Sequence, residues 1–236
     1  MPAEFSLGTL SSTPVVASNF VGNNDTRDTY GFSLSSSGNI NLALTGLSAD
    51  ADVRIFRDFN GNGIVDSGDT QVGSSTRGGD VDDSINISNQ AAGAYVVQVD
   101  RYSTNQTKYD LRLSTSSPSN LLPTETAVGA VTSSRTFNDQ VGNTDTSDTF
   151  NFVVNSARNF RFTLDPVGNV DADLRLIQDR NSNLVVDAGE VIATSTLGSG
   201  SNDVITSFLQ PGDNYFVQVY QFSGNPIDYS LNITPV

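Results

Sequence analysis

The chain has 236 residues, with 26 acidic against 12 basic side chains, a formal net charge of −14, and neither cysteine nor histidine. This composition excludes disulfides, cysteine- or histidine-ligated metals, and catalysis that depends on histidine. The negative charge opposes polyanions, so we expect neither nucleic acid nor an anionic membrane as a partner. No apolar run is long enough for a transmembrane helix, and the first residues lack the basic and apolar regions of a signal peptide.

Short runs in which apolar and polar residues alternate follow one another along the first half of the chain. They are Tyr30–Leu34, Ile40–Leu44, Val53–Ile55, Tyr95–Val99 and Tyr109–Leu113. A period of two predicts half-buried antiparallel strands. Clusters of Gly, Asn, Asp and Ser separate these runs, which is typical of a sandwich or barrel. We therefore predict an all-β fold with about eight strands in each half.

The second half repeats the first at a spacing of 120 or 121 residues. The segment that starts at Val21 recurs from Val141, Asp50–Ile55 recurs as Asp171–Leu176, and Tyr95–Val99 recurs as Tyr215–Val219. A period this long indicates duplicated domains and not a solenoid. The sequence predicts two tandem jelly-roll-like antiparallel β-sandwich domains, at residues 1–117 and 118–236, joined by a Pro/Ser-rich linker at 116–124.

The strongest motif is a twelve-residue loop at 58–69. Oxygen-bearing side chains fall at its positions 1, 3, 5, 9 and 12, Gly63 occupies position 6, and the backbone carbonyl at position 7 would add a ligand. This is the layout of an EF-hand-type calcium loop, in which hard oxygens converge on one ion. The predicted ligands are Asp58, Asn60, Asn62, Ile64, Asp66 and Asp69. An ordinary Asn/Gly/Asp turn is the alternative.

A second loop at 179–190 has the same layout. Its predicted ligands are Asp179, Asn181, Asn183, Val185, Asp187 and Glu190. Position 6 is Leu184, and a leucine at positive φ costs about 1 kcal/mol or more. Glu190 at position 12 can chelate with both oxygens, and Arg180 adds a nearby positive charge. We expect Ca²⁺ in both loops, bound more tightly by the first, with degeneration of the second loop as the alternative.

One Asp-Ala-Asp motif stands directly before a predicted strand in each half, at Asp50 and Asp52 in the first and at Asp171 and Asp173 in the second. They could chelate a further cation with other acidic residues of the same half. Those partners would be Asp80, Asp82 or Asp83 in the first half and Asp203 in the second. Capping of turns through backbone N–H groups is the more common role of such residues.

Each half resembles the bacterial pre-peptidase C-terminal domain. The resemblance rests on Asp28-Thr-Tyr and Asp148-Thr-Phe, on the two Asp-Ala-Asp motifs, and on the late strand that begins at Tyr95 or Tyr215. The two loops are similar to those of dockerins. The resemblance implies a jelly-roll-like sandwich of the kind that accompanies secreted proteases and in some cases binds collagen or polysaccharide.

No residue pattern marks a catalytic set, so we expect a protein that is not an enzyme. The first hypothesis is a secreted or cell-surface, calcium-binding structural or adhesive protein that assembles with itself. The second is an accessory module that binds an extracellular polymer, either a polysaccharide or a fibrous protein such as collagen, for a secreted hydrolase system. A hydrolase that uses a pair of carboxylates is the third.

Overall fold

The computed structural model describes residues 3–236, and these divide into two compact units, one that ends at Pro123 and one from Thr124 to Val236. The division falls six residues later than the boundary expected from the sequence. Hydrogen bonds account for this difference, because they hold the linker to the first unit. Asn41 Nδ2 donates to the Ser116 carbonyl at 2.8 Å, and Asn120 Nδ2 donates to the Ser12 carbonyl at 2.9 Å.

The first unit contains nine strands. They are β1 (Phe5–Thr9), β2 (Val15–Val21), β3 (Arg27–Leu34), β4 (Gly38–Thr45), β5 (Ala51–Asp58), β6 (Thr70–Ser75), β7 (Asp83–Gln90), β8 (Gly93–Arg101) and β9 (Thr107–Ser114). They form a five-stranded sheet of order β1-β3-β8-β5-β6 and a four-stranded sheet of order β2-β9-β4-β7.

The second unit repeats this arrangement strand for strand. Its strands are β10 (Thr126–Ala130), β11 (Arg135–Val141), β12 (Ser147–Val153), β13 (Arg158–Pro166), β14 (Asp171–Asp179), β15 (Val191–Ser195), β16 (Asp203–Leu209), β17 (Asn214–Ser223) and β18 (Ile227–Pro235). Its sheets have the orders β10-β12-β17-β14-β15 and β11-β18-β13-β16. The structure confirms the all-β class and the two sandwiches.

The sequence missed one feature of the sheets. β1 pairs with β3, and β10 with β12, in parallel, whereas the other pairs are antiparallel. The chain leaves β1, runs back as β2 in the other sheet and returns as β3, so β1 and β3 point the same way. The short, mostly exposed β1 carries little alternation, which is why its pairing could not be read from the pattern.

Each unit has its own apolar core between its two sheets. The alternating residues that predicted the strands are the core residues: Ile40, Leu42, Val53, Ile55 and Val97 are all fully buried. The second core contains four buried phenylalanines, and among them Phe152 packs against Phe160, Phe162 and Tyr215. Residues 3–236 contain no helix, and so none that could cross a membrane.

Candidate metal centres

The two twelve-residue loops lie at the same place in the two units. Each follows a central strand of the five-stranded sheet and leads into the edge strand, from β5 to β6 and from β14 to β15. The first predicted ligand is the last residue of its strand, and both Asp58 and Asp179 are buried there. The rest of the first loop is exposed or half-buried, whereas Val185 and Glu190 are also buried in the second loop.

The carboxylate at position 1 organises the turn that follows it. Asp58 Oδ1 accepts the Gly61 N–H at 2.7 Å, and Asp58 Oδ2 accepts the Gly63 N–H at 2.8 Å. In the second loop, Asp179 Oδ1 accepts from Asn183 N at 3.2 Å and Oδ2 from Leu184 N at 3.1 Å. The chain therefore turns round this carboxylate in both loops.

The side chains at positions 3, 5 and 9 converge. Asn60 Nδ2 and Asn62 Nδ2 lie 3.0 and 3.2 Å from Asp66 Oδ2. The amide oxygen of Asn62 accepts from Ile64 N at 2.7 Å, and its second lone pair is available to another partner. The Gly68 N–H, followed by the two asparagine amides, lowers the pKa of Asp66. This places an ionised carboxylate where the three side chains meet.

The second loop reproduces this convergence. Asn181 Nδ2 and Asn183 Nδ2 each lie 2.8 Å from Asp187 Oδ2. Val185, at position 7, donates its N–H to Asn183 Oδ1 at 2.8 Å. That the carbonyl oxygens of Ile64 and Val185 act as ligands remains a prediction.

The carboxylate at position 12 closes each loop. Asp69 accepts the N–H groups of Phe59 at 3.1 Å and of Asp66 at 2.9 Å. The longer Glu190 accepts the equivalent N–H groups of Arg180 at 2.8 Å and Asp187 at 2.9 Å. The two acids thus hold the same pair of backbone positions despite their different lengths.

Both loops use left-handed backbone at positions 4 and 6. φ is 68° at Gly61 and 71° at Gly63, and it is 56° at Ser182 and 59° at Leu184. Leu184 therefore adopts the positive φ that the sequence alignment of the loops predicted. A leucine rarely takes this conformation unless its surroundings impose it.

Carboxylate, amide and carbonyl oxygens are the ligands that a hard cation such as Ca²⁺ takes. In the structure, however, the Nδ2 atoms of Asn60 and Asn62 face Asp66, and their amide oxygens accept backbone N–H groups. Among residues 3–236, no group of three or more acidic side chains is arranged closely enough to hold a metal ion by itself. The described residues therefore contain no all-carboxylate metal site. That either loop binds a metal through a mixed set of oxygen ligands remains a prediction.

Sequence reasoning missed a pair of buried contacts between aspartate and tyrosine. The Tyr109 hydroxyl donates to Asp28 Oδ2 and lies 2.7 Å from the Tyr30 hydroxyl. Tyr229 donates to Asp148 in the same way in the second unit. Burial raises the pKa of Asp28 to about 6. The sequence did contain a signal for this contact, because both repeats carry the two partners. The aspartate belongs to the Asp-Thr-Tyr or Asp-Thr-Phe motif, and the tyrosine belongs to the last strand of each unit.

Comparison with known proteins shows that part of the chain matches the model of a known family. Residues 26–101 match the model of the bacterial pre-peptidase C-terminal domain. This stretch runs from the start of β3 to the end of β8. Among curated proteins, none matches the chain.

Several solved structures show a similar fold at low identity. The pre-peptidase C-terminal domain of a Bacillus anthracis collagenase is 18% identical, with a TM-score of 0.37 over 48% of this chain and 97% of its own. A periplasmic inhibitor of g-type lysozyme from Aeromonas hydrophila is also 18% identical, with a TM-score of 0.33 over 47% and 96%. A CBM22 tandem from Paenibacillus barcinonensis is 11% identical, with a TM-score of 0.30 over 87% and 82%. At these values the likenesses carry no argument about function.

Proposed function

We propose that each unit binds one Ca²⁺ in its twelve-residue loop, and that the protein is a secreted, non-enzymatic structural or adhesive protein of the cell surface or an extracellular assembly. The observation that carries the calcium proposal is the shared hydrogen-bond scheme of the two loops, which extends to left-handed backbone at Leu184. A turn that served only to join two strands has no need of five oxygen-bearing side chains in register.

The proposed role of the ion follows from what the loops connect. Three carboxylates in each loop repel one another, and two Ca²⁺ ions would change the formal charge from −14 to −10. An ion held by Asp58 and Asp69 would tie the end of central strand β5 to the start of edge strand β6. Calcium would therefore stiffen one end of each sandwich, which suits a protein that transmits load or presents a fixed surface.

The test is calorimetry with Ca²⁺ on the 236-residue chain after treatment with a chelator. Asp58→Ala and Asp179→Ala should each remove one ion, and the double variant should remove two. Asp165→Ala, which changes an exposed carboxylate outside the loops, is the matched control. Unchanged calcium binding in the double variant would overturn the proposal. Electron microscopy with calcium then tests assembly, for which filaments or sheets are the expected result and monodisperse particles the contrary one.

A groove on the first unit favours the second candidate function, an accessory module that binds an extracellular polymer. The groove has a volume of about 600 Å³ and is lined by Phe20, Gly46, Ser48, Gln106, Thr107 and Lys108. Phe20 is 46% exposed. A partly exposed ring beside amide, hydroxyl and ammonium groups can bind a sugar face or an extended peptide.

This candidate is tested by pull-down with insoluble polysaccharides and with fibrous collagen. Phe20→Ala should abolish retention if the groove binds the polymer. Phe59→Ala, which removes an exposed ring elsewhere on the same unit, should leave retention unchanged. Equal loss of retention in both variants would contradict a role for the groove.

A further inference from the structure

The first loop contains the only two Asn-Gly pairs of the chain, Asn60-Gly61 and Asn62-Gly63. In such a pair the backbone nitrogen of the glycine can attack the side-chain amide carbon of the asparagine, because glycine has no Cβ to hinder the close approach. The attack closes a cyclic imide, which water opens to an acid. The sequence therefore places two candidate sites of spontaneous deamidation in one loop.

The fold leaves both pairs accessible to water. Asn60, Gly61 and Asn62 are exposed, and Gly63 is half-buried. The four residues lie between the end of β5 and the start of β6, outside the strands of the sheet. Backbone in a surface loop rotates more freely than backbone in a strand. The rotation that closes the imide ring therefore breaks no strand pairing.

Hydrogen bonds in the loop activate each asparagine amide. Asn60 Oδ1 accepts the N–H of Asn62 at 3.0 Å, and Asn62 Oδ1 accepts the N–H of Ile64 at 2.7 Å. A bond of this kind folds the side chain back over the peptide group that follows it, and this peptide group carries the attacking nitrogen. The donated N–H also stabilises the negative charge that develops on the amide oxygen during the attack.

Asp58 fixes the orientation of the two attacking nitrogens. Gly61 N donates to Asp58 Oδ1 at 2.7 Å, and Gly63 N donates to Asp58 Oδ2 at 2.8 Å. The peptide group is planar, and its N–H points along that plane, whereas the nitrogen attacks through the face of the plane. The hydrogen bonds to Asp58 thus leave the attacking face of each nitrogen open.

The second loop has the same turns without the glycines. The N–H of Asn183 bonds Asn181 Oδ1 at 3.1 Å, and that of Val185 bonds Asn183 Oδ1 at 2.8 Å. The residues after the two asparagines are Ser182 and Leu184, and their φ values of 56° and 59° are left-handed like those of the first loop. A Cβ therefore stands beside each attacking nitrogen in the second loop and hinders the reaction.

We propose that Asn60 and Asn62 deamidate spontaneously in the folded chain, and that Asn181 and Asn183 keep their amides. In each event the glycine nitrogen forms a bond to the asparagine Cγ, and the bond between Cγ and Nδ2 breaks. Nδ2 leaves as ammonia, and the proton lost by the glycine nitrogen completes it through solvent. One water molecule then opens the imide and restores the glycine N–H, which leaves aspartate or isoaspartate.

The modification changes the charge and the geometry of the first loop. Two events take the formal net charge from −14 to −14 − 2 = −16. Residues 60 and 62 stand at positions 3 and 5, which carry ligands in an EF-hand-type layout. Aspartate there would add a carboxylate to the proposed calcium site, whereas isoaspartate would lengthen the backbone and shift the residues that follow. The reaction itself does not require calcium binding.

The test is peptide mapping by mass spectrometry of the 236-residue chain, before and after incubation in warm neutral buffer with a chelator. Cleavage after Arg57 and Arg77 releases the peptide 58–77, in which Asn60 and Asn62 are the only asparagines. We expect progressive loss of the amide form of this peptide, with aspartate and isoaspartate products that separate by chromatography. Asn181 and Asn183 should remain unchanged. If the folded chain keeps both amides of peptide 58–77 over an interval in which the denatured chain loses them, the proposal is overturned.

A variant of the first loop tests the role of the glycine. Gly61→Ala should protect Asn60 and leave the conversion of Asn62 in place. A Cβ at Gly61 meets no atom within 4 Å, and Ser182 shows that a residue with a Cβ takes the same left-handed backbone in the second loop, so the variant should fold. Equal conversion of Asn60 in the variant and the parent would overturn the proposed attack by the Gly61 nitrogen.

The reverse change in the second loop is the matched control. Leu184→Gly creates an Asn-Gly pair in a turn that already holds the amide of Asn183, and we expect conversion at Asn183 and none at Asn181. An unconverted Asn183 in this variant would overturn the explanation of the difference between the loops. All samples contain a chelator, so a failure of the loops to bind calcium would leave these results unchanged.

Discussion

Leu184 donates its backbone N–H to Asp179 Oδ2 at 3.1 Å while its φ is 59°. Gly63 makes the same bond to Asp58 at 2.8 Å with a φ of 71°. The second unit thus keeps the backbone geometry of the loop at a position where the side chain resists it. Both repeats keep this turn although it strains the backbone of Leu184. We infer that the hydrogen bond to the carboxylate at position 1 is required in both loops.

Leu184→Gly should therefore raise the free energy of unfolding of the second unit by about 1 kcal/mol, because the left-handed conformation no longer strains a Cβ. It should tighten calcium binding there by a similar amount of free energy, about fivefold. Chemical denaturation and calorimetry measure the two effects. Gly63→Leu should produce the opposite changes in the first unit, and a stabilised Gly63→Leu variant would contradict this account of the strain.

The first loop should bind calcium more tightly than the second. The backbone at position 6 favours the loop with Gly63. The positive charge of Arg180, whose Nε donates to Gln178 Oε1 at 3.3 Å, should weaken binding to the second loop further. Titration of Asp58→Ala and Asp179→Ala separately tests this order. If Asp58→Ala retains the tighter of the two loop events, the reach of Glu190 outweighs the strain at Leu184.

Calcium should stabilise each unit by mass action. If the dissociation constant is about 0.1 mM, a value within the range of extracellular modules, then about 10 mM calcium adds about 2.7 kcal/mol. Melting curves in calcium and in chelator measure this difference. Identical curves for the parent protein would contradict calcium binding by the folded units.

Asn60→Asp should alter the first loop in two opposite ways. It replaces the hydrogen bond of 3.0 Å from Asn60 Nδ2 to Asp66 Oδ2 with repulsion between two carboxylates. The calcium-free unit should become less stable, whereas calcium should bind several-fold more tightly at low salt, because affinity rises with the number of charged ligands. Ser67→Asp, which adds the same charge at an exposed position of the loop that is not a predicted ligand, is the control. Equal gains in calcium affinity in the two variants would mean that the added carboxylate attracts the ion from a distance. Residue 60 would then not be a ligand.

Asp28 should make the first unit more stable in mild acid than at neutral pH. Burial, and to a lesser degree the charges of Asp25 and Glu4, raise its pKa to about 6, although the hydrogen bond from Tyr109 opposes this. Because the folded pKa lies above the unfolded value of 3.8, the stabilising contribution is complete below pH 3.8 and is lost as the pH rises through about 6. The loss amounts to about 3 kcal/mol at most.

Denaturation of Asp28→Asn across this range in calcium-free buffer measures the effect. The variant should show a smaller decline in stability between pH 4 and pH 6 than the parent, and it should exceed the parent at pH 7. Some decline should remain, because burial also raises the pKa values of Asp52 and Asp83 in this unit. Asp80→Asn removes an exposed carboxylate and should leave the decline in place. A parent protein whose stability rises over this interval would show that Asp28 is ionised at a lower pH.

The sequence predicted the strands and the loop register because both depend on local spacing. Alternation marks which side of a strand is buried, and Ile55 and Val97 are buried as their pattern requires. The oxygen spacing likewise predicted that the side chains of Asn60, Asn62 and Asp66 would meet. Spacing carries no information about which strand lies next to which, so the parallel pairing of β1 with β3 could not be foreseen.

The sequence also could not show which of several neighbouring aspartates is buried in the fold. Asp80, Asp82 and Asp83 were equivalent candidates, yet only Asp83 opens a strand and is fully buried. The difference arises from the bonds that Asp83 accepts from Ser75 and Arg77, two residues brought close by the meeting of β6 and β7. Such a contact depends on the packing of the two sheets and not on the order of residues.

The closing bonds of Asp69 and Glu190 have a mechanical consequence. Each loop begins on a central strand and ends at the margin of the same sheet, so an ion gripped at both ends would act as a staple across about a dozen residues. Small exported domains commonly use a disulfide for this purpose, but this chain has no cysteine. A link made by a bound calcium ion would need no oxidising environment. It would form when the calcium concentration is high and be lost when the concentration falls.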